Sequence, residues 1–197
     1  ATSNGQLLHG RILDYMTGMG LQNSAVTFIC IPDNHNAFAN IGYAGFIGAV
    51  TGMNDKKVAF GEIGGGGAGK WNGMPMAFLM RKGLEEAATV EEAVDIFRNT
   101  PRTCEYYYVI SGGPAKHAVG LYCTPSIFET VRPGEHHPKL PNALPDTVLF
   151  SAGSRYKKLF ERVQNNYGEI DTQLALQLMD RPVSMKSNLH CVLFAPE

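Results

Sequence analysis

Apolar and polar positions alternate, or apolar ones run together briefly, through QLLHGRILDY (6–15), SAVTFICIP (24–32), AFANIGYAGFIGAV (37–50) and KVAFGEI (57–63). Clusters of Asn, Asp, Gly and Pro separate these runs, which is the signature of strands bounded by turns. GMNDK reads as the turn between the last two. The period then changes. Over 74–88 the apolar residues Met76, Phe78, Leu79, Met80 and Leu84 predict a helix, with Pro75 tolerated in its first turn. A second helix opens at Thr89, whose side chain can cap free N–H groups while Glu92 reaches back, and it stops before Pro101. CEYYYVIS, HAVGLYC and SIFETV predict three more strands, followed by a proline-rich loop, EHHPKLPNALP. TVLFSAGS leads into a helix over 155–167, closed by Gly168 as a left-handed cap. Asp171 caps a last helix ending before Pro182, and LHCVLFA is a final strand.

Strands cluster here rather than alternating singly with helices, which favours α+β layers of antiparallel sheets over a doubly wound parallel sheet. The length of 197 residues and an apolar share of 44% suit a single domain, 1–197, with a sizeable core. Seventeen Lys and Arg against eighteen Asp and Glu leave a net charge of −1, so no global field attracts nucleic acid or an anionic membrane. Neither is expected as a partner. No apolar run reaches membrane-spanning length, and the opening letters ATSNGQ lack the pattern of a signal peptide, without fixing a compartment. Cys30, Cys104, Cys123 and Cys191 show no zinc-ribbon or C-x-x-C spacing and read as free, structural thiols.

GEIGGGGAGKW (61–71) contains G-x-x-x-x-G-K after a strand, the outline of a phosphate-binding loop. Such a loop needs Ser or Thr directly after its lysine, and a helix starting there. Trp71 follows Lys70, and Pro75 moves the helix start further on. The glycines then signify a backbone that bends sharply or approaches a ligand closely.

HGRILDY puts Arg11 and Asp14 in an apolar strand, where opposite charges serve one another or a ligand. An offset of three directs them to opposite faces unless a bulge or strand end re-aims one. A strand-end ion pair is the default reading of those letters alone. HGRILDY, YAGFIGAVTGMNDK, PRTCEYYYV, SAGSRYKKL and NLHCVLF, in that order, resemble the isopenicillin-N acyltransferase-like family of autoproteolytic acyltransferases and hydrolases, within the N-terminal nucleophile hydrolases. The resemblance spans essentially the whole chain.

It implies a four-layer αββα sandwich in which an N-terminal cysteine, exposed by self-cleavage, attacks a linear amide without metal or organic cofactor. The freed α-amine, with an unperturbed pKa near 8, suits general-base work on the same residue. Carried over, Arg11 and Asp14 orient the nucleophile and its amine, and Asn54 helps stabilise the oxyanion. Asn54 alone reads equally well as a turn asparagine. Arg155 supports the site from the entrance of a helix. Ser154 is a substrate-pocket hydroxyl or, more blandly, a capping serine.

Ala1 has no nucleophilic side chain. The expectation is that the cysteine precedes it, that parts of the first and last strands lie outside the chain, and that these residues alone are inactive. Unpaired strand edges would then invite association into a homo-oligomer. A catalytically inactive member serving as a binding or structural module is the alternative, and a nucleotide-binding protein the third. Cys104 with His117, or Cys191 with His190, would be a thiol pair only if neighbouring strand residues shared a face, and they do not. Glu135, His136 and His137 have no further spaced ligand and make a weak metal site. The partner expected is a small amide or acyl donor.

Overall fold

A computed structural model describes residues 1–67, 69–113 and 115–197. Among these described residues nine strands and four α-helices follow in the order β1 (His9–Asp14), β2 (Ala25–Cys30), β3 (Phe38–Tyr43), β4 (Thr51–Asn54), β5 (Val58–Gly64), α1 (Met76–Glu86), α2 (Val90–Asn99), β6 (Tyr106–Gly112), β7 (His117–Cys123), β8 (Phe128–Val131), α3 (Gly153–Asn165), α4 (Thr172–Leu178) and β9 (Asn188–Phe194). Strands β2 to β8 form one seven-stranded antiparallel sheet in sequence order, and β1 pairs with β9 in a second, two-stranded sheet.

Alternation along β5 and β6 sorts the layers. Phe60, Tyr108 and Ile110 face α1 and α2, where they meet Leu79, Met80, Leu84 and Phe97 in the main core. Gly61 and Ser111 point the other way, toward β1. Beyond β1 and β9, Leu193 packs with Val163 and Leu178 of α3 and α4 in a smaller core. The result is the four-layer αββα arrangement expected.

Local chemistry explains the element ends. Thr89 Oγ1 accepts from Glu92 N at 3.1 Å, and Glu92 Oε2 accepts in turn from Ala88 N at 2.7 Å. This cap contributes about 1 kcal/mol. Asp171 caps α4 by accepting from Leu174 N at 2.7 Å. Gly168, at φ +85°, takes the left-handed conformation after α3.

Three readings change. The run 37–50 is not one strand: β3 ends at Tyr43, and the chain turns before β4. GMN belongs to β4, so the turn is the tighter one from Asn54 to Lys57, whose φ is +64°. Helix α3 begins two residues early, at Gly153, and ends at Asn165.

The glycine run lies on its own chain. Gly65 N donates to Glu105 O at 2.9 Å, and Lys70 N to Thr103 O at 2.6 Å. A Cβ on Gly65 or Gly69 would fall 2.3 Å from Glu105 Cγ or 2.8 Å from Cys104 Sγ. The glycines therefore allow close packing against 103–105, with the Glu105 carboxylate where a phosphate would be repelled. Helix α1 starts only at Met76, so no helical amides follow Lys70. Ala68 of this run is outside the described residues, and Trp71 stands at its end, 89% exposed.

Candidate active site

Between the two sheets and α3/α4 lies a cavity of about 1020 Å³, lined by Arg11, Asp14, Glu62, Tyr43 and Arg155 among many apolar side chains. Its charged wall is built from β1 outward. Arg11 lies across Gly61, where an added Cβ would sit 2.8 Å from Arg11 Cδ. Its guanidinium bonds the Ile12 carbonyl and reaches Glu62 Oε1 at 2.8 Å, one residue past the last β4–β5 pair, Thr51 with Gly61. Both partners are buried, with side chains 6% and 7% exposed. Burial pulls the Arg11 pKa down and pushes the Glu62 pKa up, and each partner offsets part of the other's shift. An unpaired charge here would be costly, so the two residues require each other.

Asp14 sits where the pairing changes register: Leu13 opposes His190, yet Asp14 opposes Asn188, leaving one extra residue on β9. Asp14 at this irregularity and Arg11, three residues before it, line the same cavity. Asp14 Oδ2 accepts from Arg155 at 2.7 Å, and Oδ1 accepts from Met185 N and Asn188 Nδ2 at 3.1 and 3.2 Å. Arg11 and Asp14 are thus not each other's partners. The default strand-end ion pair is replaced by two pairs, Arg11 with Glu62 and Arg155 with Asp14.

A second polar layer backs this wall. His9 Nδ1 lies 2.7 Å from Ser111 Oγ, and His190 lies 2.9 Å from both Tyr43 Oη and Thr51 Oγ1. Burial first, and the Arg11 charge second, lower the pKa of each histidine to about 4. Both are neutral near pH 7.

Arg11, Asp14 and Arg155 converge, whereas Asn54 and Ser154 stay apart from them. Asn54 Nδ2 donates to the Leu84 and Ala87 carbonyls at 3.1 and 2.7 Å, and its Oδ1 accepts from Val58 N at 2.9 Å. The carboxamide is fully engaged in tying the end of α1 to the β4–β5 turn, outside the cavity lining. Ser154 is exposed in the first turn of α3, which Ala152 rather than a serine caps, and Ser151 lines the cavity instead.

Glu62, His9, Tyr43 and His190 do not stand out from the letters as members of the site. Glu62 carries the same signal as Arg11, a charge inside an apolar strand run. The histidines carry none beyond their presence in buried strands. None of the four cysteines lines the cavity. Cys191 faces away from His190's partners, and burial raises its thiol pKa. His117 pairs with Glu91 and is not beside Cys104 in any hydrogen bond among the described residues. His136 bonds the Pro141 carbonyl while His137 pairs with Glu129, and among the described residues no group of three His, Cys, Asp or Glu could hold a metal. No helix among them is long and apolar enough to cross a membrane.

Known proteins share this framework. The mouse N-acylethanolamine-hydrolyzing acid amidase is 29% identical over 126 residues, covering 59% of this chain and 35% of that protein. Protein dcd1B of Dictyostelium discoideum is 27% identical over 154 residues, covering 76% and 31%. The chain thus spans about a third of the length of these curated relatives. Among solved structures, a Caenorhabditis elegans N-acylethanolamine-hydrolyzing acid amidase ortholog superposes with a TM-score of 0.75 at 18% identity, covering 99% of this chain and 90% of that one. A mutant form of conjugated bile acid hydrolase from Clostridium perfringens gives 0.60 at 15% identity, covering 98% and 84%. These superpositions establish a shared N-terminal nucleophile hydrolase fold. Residues 2–137 match the model of the acyl-coenzyme A:6-aminopenicillanic acid acyl-transferase family, and the chain belongs to that family.

Proposed function

We propose that this domain cleaves or transfers the acyl group of a linear amide through a cysteine acyl-enzyme. The observation that carries the reading is the convergence of Arg11, Asp14 and Arg155, up to 144 positions apart in sequence (155 − 11), on one largely apolar cavity. In this reading the thiolate attacks the amide carbonyl, the C–N bond breaks, and the leaving amine takes up a proton. Water or a second amine then resolves the thioester, which separates hydrolysis from acyl transfer. Asp14, fixed from three sides, orients the amine of the nucleophile's residue, and Arg11 favours the thiolate over the thiol. In this reading the thiol is one that the cavity-lining residues do not supply, since no cysteine is among them. The same fact favours a second reading, a binding module without turnover.

Expression of the complete reading frame separates the two. Its product would be offered N-acylethanolamines and conjugated bile acids, the compounds named for the relatives, with hydroxylamine present to trap an acyl-enzyme as hydroxamate. Thiol-dependent amide cleavage, lost at least about 10²-fold in Asp14→Ala, supports the enzyme. Binding of those amides without cleavage supports the module, and turnover undiminished in Asp14→Ala or Arg11→Ala refutes the assigned roles.

A further inference from the structure

His190 is held between two hydroxyls of the large sheet, with Nδ1 2.9 Å from Tyr43 Oη and Nε2 2.9 Å from Thr51 Oγ1. A neutral imidazole carries one N–H, so it donates to one hydroxyl and accepts from the other. The surroundings decide which. Thr51 is fully buried at 0% exposure, lies off the cavity lining, and has His190 as its one side-chain hydrogen-bond partner among the described residues. If His190 donated from Nε2, the Thr51 proton would be left dry and without an acceptor, an arrangement buried hydroxyls avoid. Thr51 therefore donates to Nε2, and the imidazole proton sits on Nδ1.

That proton is given to the Tyr43 oxygen, which frees the tyrosine's own O–H from His190. Tyr43 lines the cavity together with Arg11. Tyr43 is itself only 4% exposed, but its place on the cavity wall lets that end of the relay present a free donor to the cavity, whereas Thr51, off the lining, has no such outlet. Arg11 offsets part of the rise that burial imposes on the Tyr43 pKa, so the guanidinium polarises the same hydroxyl.

We propose that Tyr43 contacts the substrate, its hydroxyl donating to the carbonyl oxygen of the amide bound in the cavity. His190 and Thr51 are positioning residues that set the direction of that bond. The assignment of the bound group rests on the amide chemistry proposed above; the direction of the relay does not.

Two measurements test it. Nitrogen NMR of the chain carrying isotope-labelled histidine, with His190 identified by its absence in His190→Gln, is expected to show the Nδ1–H tautomer at neutral pH. An Nε2–H tautomer overturns the proposal. In the complete reading frame, Tyr43→Phe is expected to lower kcat/KM for a cleaved amide about 10²-fold, mainly through kcat. Thr51→Val should give a smaller loss that Thr51→Ser restores. A folded Tyr43→Phe protein with unchanged kcat/KM also overturns it. If the unsubstituted protein cleaves no amide, the substrate contact falls with the proposed reaction, and the tautomer spectrum tells that failure from an error in the relay.

Discussion

Arg11 is held by what surrounds it more than by its own strand. Its charge is sustainable in a dry layer because Glu62 lies 2.8 Å away and the Ile12 carbonyl accepts a second bond. Truncation to Ala strands the Glu62 carboxylate, and removal of one partner of such a pair costs about 3–5 kcal/mol. Arg11→Ala should accordingly lower the urea midpoint strongly, while the double change Arg11→Met with Glu62→Leu recovers most of the loss without restoring turnover. A double variant no more stable than Arg11→Ala would mean the pair is not the source of the cost. Asp14 differs, with backbone and side-chain donors from β9 and its approach as well as Arg155. The letters HGRILDY make both residues conspicuous because charges rarely occupy an apolar strand. They cannot name the partners: Glu62 is 51 positions from Arg11, and Arg155 is 141 from Asp14.

Elements are legible where one local rule acts alone. Thr89 and Asp171 cap the helices they precede, and the alternation in KVAFGEI correctly marks β5. Boundaries slip where tertiary contacts decide, as at GMN, which joins β4 because the seven-stranded sheet offers it partners on both sides. The bulge opposite Leu13 enters the sequence reading only as a condition, since a strand does not announce the register of its neighbour. Asn54 illustrates the same limit: a turn asparagine by its letters, it joins helix α1 to the start of β5. Asn54→Ala leaves a buried N–H and carbonyl oxygens short of partners and should cost about 2–3 kcal/mol by chemical denaturation. Gly61 is an equally specific link between elements. Gly61→Ala would bring a methyl group within 2.8 Å of Arg11 Cδ and 3.2 Å of His9 Nε2. Destabilisation of about 1–3 kcal/mol follows, together with reduced turnover as Arg11 is displaced.

At the scale of the molecule, the α+β class and the family are both visible in strand order and motif order. The cavity is not, because it arises where β1, β5 and α3 meet. The polar layer between the sheets should also govern the acid stability. His9 and His190 have folded-state pKa values of about 4 against an ordinary 6.5. Between those values the unfolded chain binds more protons than the folded one, so stability is fully present above about pH 6.5 and lost as pH falls toward 4. Glu62, raised by burial, acts in the opposite sense just above the ordinary carboxylate range, where its deprotonation takes some stability away as pH rises. The histidines should dominate, and His9→Gln should flatten the fall in thermal midpoint between pH 6.5 and 4; an unchanged slope would assign the acid sensitivity elsewhere. The sole tryptophan, Trp71, is already bathed in solvent at 89% exposure. Its emission in the folded protein should match that of free indole in water and barely move on denaturation. Global unfolding has to be followed by circular dichroism, and the tryptophan serves as a built-in optical label for the glycine run alone.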